Sequence, residues 1–485
     1  MSKITNNFIY NIALTVSTFL INLVLFPYVS RVLGVDNIGR VGFVNNVISY
    51  FSLFAILGVR TIGIREIARA GDNYKKRSEI YSSLMTILMV LTVLVMVVYV
   101  GAVIFVPRFV QDRGLLIIGS FTLFFTSFLI EWFYQGIENF KYITIRTVAV
   151  KVIYAIAVFA LIKESDDIIL YFILTTITFA VNSLINLLYA RKFAKFRLNI
   201  SGIKKYFKPI VELGAYNIMI SMYTTFNVIY LGFVCSDTEV GYYYTATKLY
   251  TIIIGVFFAF TSVMLPRMSS LVSANKMADY KANLRKSFDM TFAAALPIIV
   301  YCMILAPQII ELLSGDGYQG AILPMRIVLP IILLSGMAQI WIQQILIPNK
   351  KDKIVLYNSI CGAVAGIIAN MVFVKTWGAV GSAVVLLFSE MCGNLLGFVY
   401  VLKKRMFEFP LRTFVVNLIG SLPYVIICVL SAAMISISSF TTLFIAGIGV
   451  MLYFFVFNGL LNTKSYAFEF IQGYALKIKH KIHNK

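Results

Sequence analysis

Asn7, Asn11, Thr15, Thr18 and Asn22 recur at intervals of four, four, three and four along an otherwise apolar stretch. That spacing places all five on one face of a helix. None of them ionises near neutral pH, so the stripe offers hydrogen bonds and no acid–base chemistry. Asn217, Ser221 and Thr224 repeat the pattern further along the chain, and Asn45, Asn46, Ser49 and Ser52 form a third polar group. Packed helices use such residues singly to bond one another. A five-residue stripe suits the lining of a wet cavity, and Asn7, Asn11, Thr15, Asn22, Asn46 and Asn217 are expected there.

Charged residues fall inside apolar runs too: Lys151, Lys248 and Arg326, with Glu131 and Glu390 as the main acids. A charge at the centre of a bilayer costs about 2.5–3.5 kcal/mol on insertion scales, so it faces water, finds a partner or snorkels. Lys248 lies deepest and is expected in the cavity. Lys151 and Arg326 are assigned there as well, with snorkelling as the competing account. Arg31 and Arg60 end the first two apolar runs, where each could guard a mouth, and Arg60 is grouped with the cavity. Glu131 or Glu390 could pair with a buried cation or titrate as a coupling site. A cationic cavity implies an anionic passenger, and Lys or Arg would offset the desolvation of a pyrophosphate.

The elements that must hold these side chains follow from composition. The 485 residues are 60% hydrophobic and 13% charged, with a mean hydropathy of +0.87. Soluble domains carry about 25% charged residues, so lipid is the solvent for much of this surface. The apolar runs are long and do not alternate, which selects helices over a barrel. Taking about 20 residues per span, the runs lie at 8–30, 41–60, 80–106, 114–134, 145–162, 168–190, 209–234, 242–265, 288–313, 321–347, 354–374, 378–402, 413–436 and 441–461. The first is too long for the core of a signal peptide and is expected to stay as a span.

With the N-terminus in the cytoplasm, 33 of the 42 Lys and Arg residues fall on the inner side, six on the outer side and three within spans. This asymmetry supports about fourteen spans with both termini inside. It also accounts for the net charge of +21, which therefore gives no reason to expect a nucleic-acid partner.

Asp36-Asn-Ile-Gly39 resembles Asp237-Thr-Glu-Val-Gly241, and Trp132-Phe-Tyr-Gln135 resembles Trp341-Ile-Gln-Gln344, at offsets that agree within loop length. The expected organisation is an all-α membrane protein of two parallel six-helix bundles, at 1–208 and 209–412. They would be related by an axis along the membrane normal and share a central cavity. Two further helices follow at 413–463, then a basic cytoplasmic tail at 464–485 that reads as an amphipathic helix on the membrane surface.

Several chemistries are excluded or disfavoured. Both histidines, His480 and His483, lie in the tail, so no histidine relay crosses the membrane. The five cysteines are scattered without a Cys-x-x-Cys, and no metal site is expected. There is no Gly-x-x-x-x-Gly-Lys-Ser/Thr phosphate loop, no cofactor motif and no loop large enough to hold an enzyme's active site.

Three segments are specific enough to carry a resemblance: Pro27-Tyr-Val-Ser-Arg31-Val-Leu-Gly34, Gly63-Ile-Arg65-Glu66-Ile-Ala-Arg69, and Glu131-Trp132-Phe-Tyr-Gln135-Gly136-Ile-Glu138-Asn-Phe-Lys141-Tyr-Ile-Thr-Ile-Arg146. They are similar to the Wzx-type polysaccharide flippases, in the group that includes multidrug extruders and peptidoglycan lipid flippases. The resemblance implies a transporter of the bacterial inner membrane that moves undecaprenyl-pyrophosphate-linked oligosaccharide outward by alternating access, for O-antigen or capsule assembly. Other polysaccharide-assembly membrane proteins are candidate partners, and the energy source is left open between a proton, sodium or anion gradient and downhill use of the product outside. Arg31, Arg65, Glu66, Glu131, Gln135, Lys141 and, outside the motifs, Glu390 are assigned to gating or coupling. Arg65, Glu66 and Lys141 are placed in cytoplasmic loops, where fixing the loop competes with gating. A cation-coupled drug exporter is the first alternative, weakened because the first span carries no Asp or Glu. A membrane-embedded polymerase or ligase is the second, weakened by outward loops as short as 235–241.

Overall fold

The computed structural model describes residues 3–433 and 438–461, and every regular element among them is helical. Hydrocarbon leaves no other choice for a backbone that must satisfy its own N–H and C=O groups. Ten helices are long and apolar enough to cross a membrane, or eleven if one bent pair is a single span. The number falls below the fourteen runs read from the sequence partly because neighbouring runs are continuous in two places. Exposed side chains such as Val97 at 69% and Phe105 at 82% make sense against lipid alone.

The chain divides into two compact units, Met1–Gly241 and Tyr242–Lys485. Unit 1 comprises α1 (Lys3–Ile56), α2 (Val59–Ala70), α3 (Tyr74–Phe105), α4 (Arg113–Ser127), α5 (Glu131–Gly136), α6 (Phe140–Leu161), α7 (Ile168–Ala190), α8 (Ser201–Ser221) and α9 (Thr225–Val234). Helix α1 carries the first two expected spans, separated by a kink at Gly34 with φ 76° and ψ 170°. That conformation is essentially restricted to glycine.

The segment expected as the 60–79 loop contains a helix. In α2, Val59, Ile62, Gly63, Ile67 and Ala70 are buried at three- and four-residue intervals, so an apolar face holds the helix down. It packs on α5, and a Cβ at Gly63 would lie 2.2 Å from the Trp132 ring. The expected span 114–134 corresponds to the candidate span Arg113–Gly136, but it is not one unbroken helix. Helix α4 ends at Ser127, Ile130 takes a left-handed φ of 40°, and α5 starts afresh at Glu131. Glu131 is therefore in the first turn of a new short helix.

Residues 209–241, placed with the second bundle from sequence, cluster with unit 1. Gly58 N donates to Ile210 O at 3.2 Å, and a Cβ on Gly232 would meet the Phe43 ring at 2.3 Å. The two stretches matched as a repeat pack on each other. A Cβ at Gly39 would lie 1.8 Å from Asp237 O, one at Gly241 would lie 2.3 Å from Val35 O, and Thr238 Oγ1 donates to Asp36 Oδ1 at 2.6 Å.

Helix α10 (Asp237–Ser273) leads into unit 2. There follow α11 (Met277–Ile304), α12 (Ala306–Ser314), α13 (Ile322–Val328), α14 (Ile331–Ile340), α15 (Asp352–Ala369), α16 (Lys375–Lys403), α17 (Leu411–Gly420), α18 (Leu422–Ala432) and α19 (Ser439–Val456). A wide five-residue turn at Asn370–Val374 and a kink at Gly378 (φ 52°) link α15 and α16, which fold back and pack on each other within the continuous stretch Asp352–Lys403. Gly393 backs onto Gly362, a small-residue contact typical of helices packed in lipid. Helix α18 ends at Ala432 and α19 begins at Ser439; residues 434–437 between them lie outside the described residues. The surface helix expected over 464–485 lies outside the described residues.

Candidate translocation site

The most telling feature of unit 1 is a bend. Helices α8 and α9 meet at 48° across a three-residue break. At the break the backbone ladder changes to long bonds spanning three residues, Met222 N to Met219 O at 3.3 Å and Tyr223 N to Ile220 O at 3.4 Å. Ser221 Oγ donates to Ile218 O at 2.7 Å and Thr224 Oγ1 to Ile220 O at 3.2 Å. Hydroxyls bonded back to the preceding turn bend helices in this way.

A hollow of about 250 Å³ opens against this bend, lined by Ser49 and Leu53 of α1 and by Asn217, Ile220, Ser221, Thr224 and Thr225. Ser49 lies near the middle of the expected span 41–60 and Ser221 near the middle of 209–234. Discontinuous helices in transporters place their ligand groups at breaks of this kind. Asn217 and Ser49 are exposed and Ser221 is buried.

The other cavity candidates of unit 1 are more dispersed. Lys151 Nζ donates to Thr18 Oγ1 at 3.1 Å, so the stripe of α1 holds an ammonium from α6. Asn7 and Thr15 are half-buried and Asn22 is exposed, while the side chain of Asn11 lies outside what is described. Asn46 donates to Gly42 O of its own helix at 2.8 Å. Arg60 is exposed in the first turn of α2, and Arg31 is exposed with Nη1 3.3 Å from Pro27 O.

The motif residues build a scaffold. Arg146, 95% shielded, donates from Nη2 to Glu131 Oε1 at 2.7 Å and to Thr147 Oγ1 at 2.7 Å. Tyr134 Oη and Asn186 Nδ2 donate to backbone oxygens of Asn186 and Leu129, locking α5 onto α7. Gln135 is half-buried on α5, and Lys141 is exposed on α6. On α2, Glu66 receives Arg65 and Arg69, each at 3.1 Å. Pairing of this kind fixes a helix surface more directly than it gates a passage.

In unit 2, Lys248 Nζ donates to Tyr244 Oη at 2.8 Å and lies 4.1 Å from that ring's centroid. It is half-buried, so a cation held by its own helix keeps one side accessible. Arg326 Nε donates to Met303 O at 3.0 Å, near the C-terminus of α11, a carbonyl-rich end that favours a cation. Glu390 Oε2 accepts from Ser335 Oγ at 3.0 Å and from Asn394 Nδ2 at 2.9 Å.

Sequence reasoning missed two clusters. One is the pair of Arg146 with Glu131, which the sequence leaves ambiguous because Glu138 and Lys141 lie between them as competing partners. The second is an ion network, in which Asp112 accepts from Arg40 at 2.7 Å and from Arg108 at 3.0 Å, and Arg108 reaches Asp237. Local spacing announces only the i,i+4 pair of Arg108 with Asp112; the links to Arg40 and Asp237 are long-range.

Comparison with known proteins completes the description. Residues 4–272 match the family model described as "Polysaccharide biosynthesis protein". A protein of Escherichia coli (strain K12) named for O-antigen transport is 22% identical over 409 residues, covering 83% of this chain and 98% of the relative. Its namesake in Shigella dysenteriae is 26% identical over 387 residues, covering 77% and 94%. Among solved structures, the lipid II flippase MurJ in an inward closed conformation superposes with a TM-score of 0.77 at 14% identity, covering 94% of this chain and 99% of that one. An inward-facing multidrug resistance MATE family transporter of the MOP superfamily gives 0.61 at 15% identity, covering 80% and 94%. At these identities the superpositions speak for the fold alone.

Proposed function

From the premise that the chain belongs to the polysaccharide biosynthesis protein family, we propose that it moves undecaprenyl-pyrophosphate-linked oligosaccharide repeat units from the cytoplasmic to the outer leaflet by alternating access, in the bacterial inner membrane, for O-antigen or capsular polysaccharide. That it is a transporter and not an enzyme follows from its fold and its named relatives.

The observation that carries the proposal is the uncharged hollow, edged by Ser, Thr and Asn side chains, beside a broken helix that is apolar enough to span the membrane. A saccharide crossing hydrocarbon unaided loses its water bonds, and each unpaired hydroxyl costs roughly 2–7 kcal/mol on transfer scales. The hydroxyl and amide side chains of the hollow replace those bonds. The pyrophosphate requires cations, and Lys248, Lys151 and Arg60 are the residues assigned to meet it. The lipid tail remains in the bilayer. Glu390, an acid held by Ser335 and Asn394, is the group assigned to couple movement to an ion gradient.

Deleting the gene tests the proposal. The lipid-linked oligosaccharide should accumulate on the cytoplasmic leaflet, and the chain should restore polymer export in a strain that lacks its own flippase. Normal export without the gene, with no accumulation, would overturn it.

A further inference from the structure

The hollow at the bend of α8 and α9 is uncharged: no Lys, Arg, Asp or Glu lines it, and its wall is mainly carbon, interrupted by the polar groups of Ser49, Asn217, Ser221, Thr224 and Thr225. A pyrophosphate needs cations or converging N–H donors, so this wall does not suit that part of a passenger. Its chemistry suits a neutral polyol. The Ser221 and Thr224 hydroxyls donate to the Ile218 and Ile220 carbonyls, so what they retain for a ligand is acceptor capacity, with Thr224 the more accessible of the two. Asn217, exposed on the same wall, brings amide donors and an acceptor, and Ser49 of α1 brings a hydroxyl that can do either. Leu53 and Ile220 add apolar contact for the C–H face of a ring. The volume of about 250 Å³ lies just below the roughly 300–1,000 Å³ of pockets that take drug-sized ligands, which matches one sugar ring and not a chain.

We infer that this hollow is a subsite for a single neutral sugar ring of the passenger, and that Asn217, Ser221, Thr224 and Ser49 set which sugar is accepted. The inference rests on the function proposed above. It separates two tasks: cations elsewhere hold the pyrophosphate, while this bend reads the sugar.

The test uses the full-length protein in lipid vesicles with two probes, undecaprenyl pyrophosphate bearing one neutral hexose and the same lipid bearing none. The readout is the ratio of their transfer rates. The wild-type protein should favour the sugar-bearing lipid. Asn217→Ala and Thr224→Val should each lower the ratio about tenfold, the effect of leaving a polar partner unmatched. Thr224→Ser should retain it. Ser49→Ala changes a different helix and should act in the same direction, so a folding defect of α8 cannot produce the whole pattern. A wild-type ratio in all three Ala and Val variants would overturn the subsite and leave the proposed function standing. Transfer of neither lipid by the wild-type protein would overturn the proposed function and the subsite with it.

Discussion

Glu131 and Arg146, 15 positions apart, meet as an ion pair with 2.7 Å between Oε1 and Nη2. The acid opens the short helix α5 and the cation lies one turn and a half into α6, so the pair closes the corner between them. Its position makes the most diagnostic segment of the sequence a piece of framework. The arginine side chain is 5% exposed and the glutamate 35%, which gives the pair unequal stakes in solvent.

Removing the cation should therefore be worse than removing both charges. Arg146→Met leaves Glu131 without its partner and should destabilise the protein toward the low end of the roughly 3–5 kcal/mol seen for broken buried pairs, because Glu131 still reaches solvent. The double variant Glu131→Gln with Arg146→Met should recover part of that loss. Thermal unfolding in detergent measures both, and equal melting temperatures for the single and double variants would remove the pairing argument.

Gly39 and Gly34 should respond to alanine for different reasons. At Gly39 a Cβ would sit 1.8 Å from Asp237 O, so the helix crossing must open and folded protein should be largely lost. At Gly34 nothing lies within 4 Å, and the only penalty is the backbone at φ 76°. That strain is worth about 1–3 kcal/mol. Yield and melting temperature should rank Gly39→Ala well below Gly34→Ala. The reverse order would mean that the crossing is loose.

Neutralising the cations assigned to the pyrophosphate should impair transport without removing protein. Lys248→Gln and Arg60→Gln should each reduce export of the lipid-linked saccharide severalfold at normal abundance. Lys248 acts with Tyr244, its 2.8 Å partner, so Tyr244→Phe should have a smaller effect in the same direction. Wild-type transport in both charge variants would argue strongly against a cationic passage.

Glu390→Gln retains an acceptor for Ser335 and Asn394 but cannot carry a proton or a full charge. Transport by this variant in vesicles should no longer respond to an imposed proton or sodium gradient. A preserved response would move coupling to another group.

The class of solvent and the type of backbone were fixed by composition: 13% charge over 485 residues leaves lipid as the environment and helices as the only open structure able to live in it. The sequence also named Asn217, Ser221, Thr224 and Ser49 before any coordinates, since polarity inside an apolar run stands out at the scale of a few residues. It could not place them around one hollow, because that depends on the bend at residues 222–224 and on a neighbour about 170 positions away. The same limit hid the pairing of Glu131 with Arg146 and the packing of Gly39 on Asp237. Local periodicity reports which face of a helix is polar; which faces meet is decided by long-range packing, and only the tertiary structure holds that information.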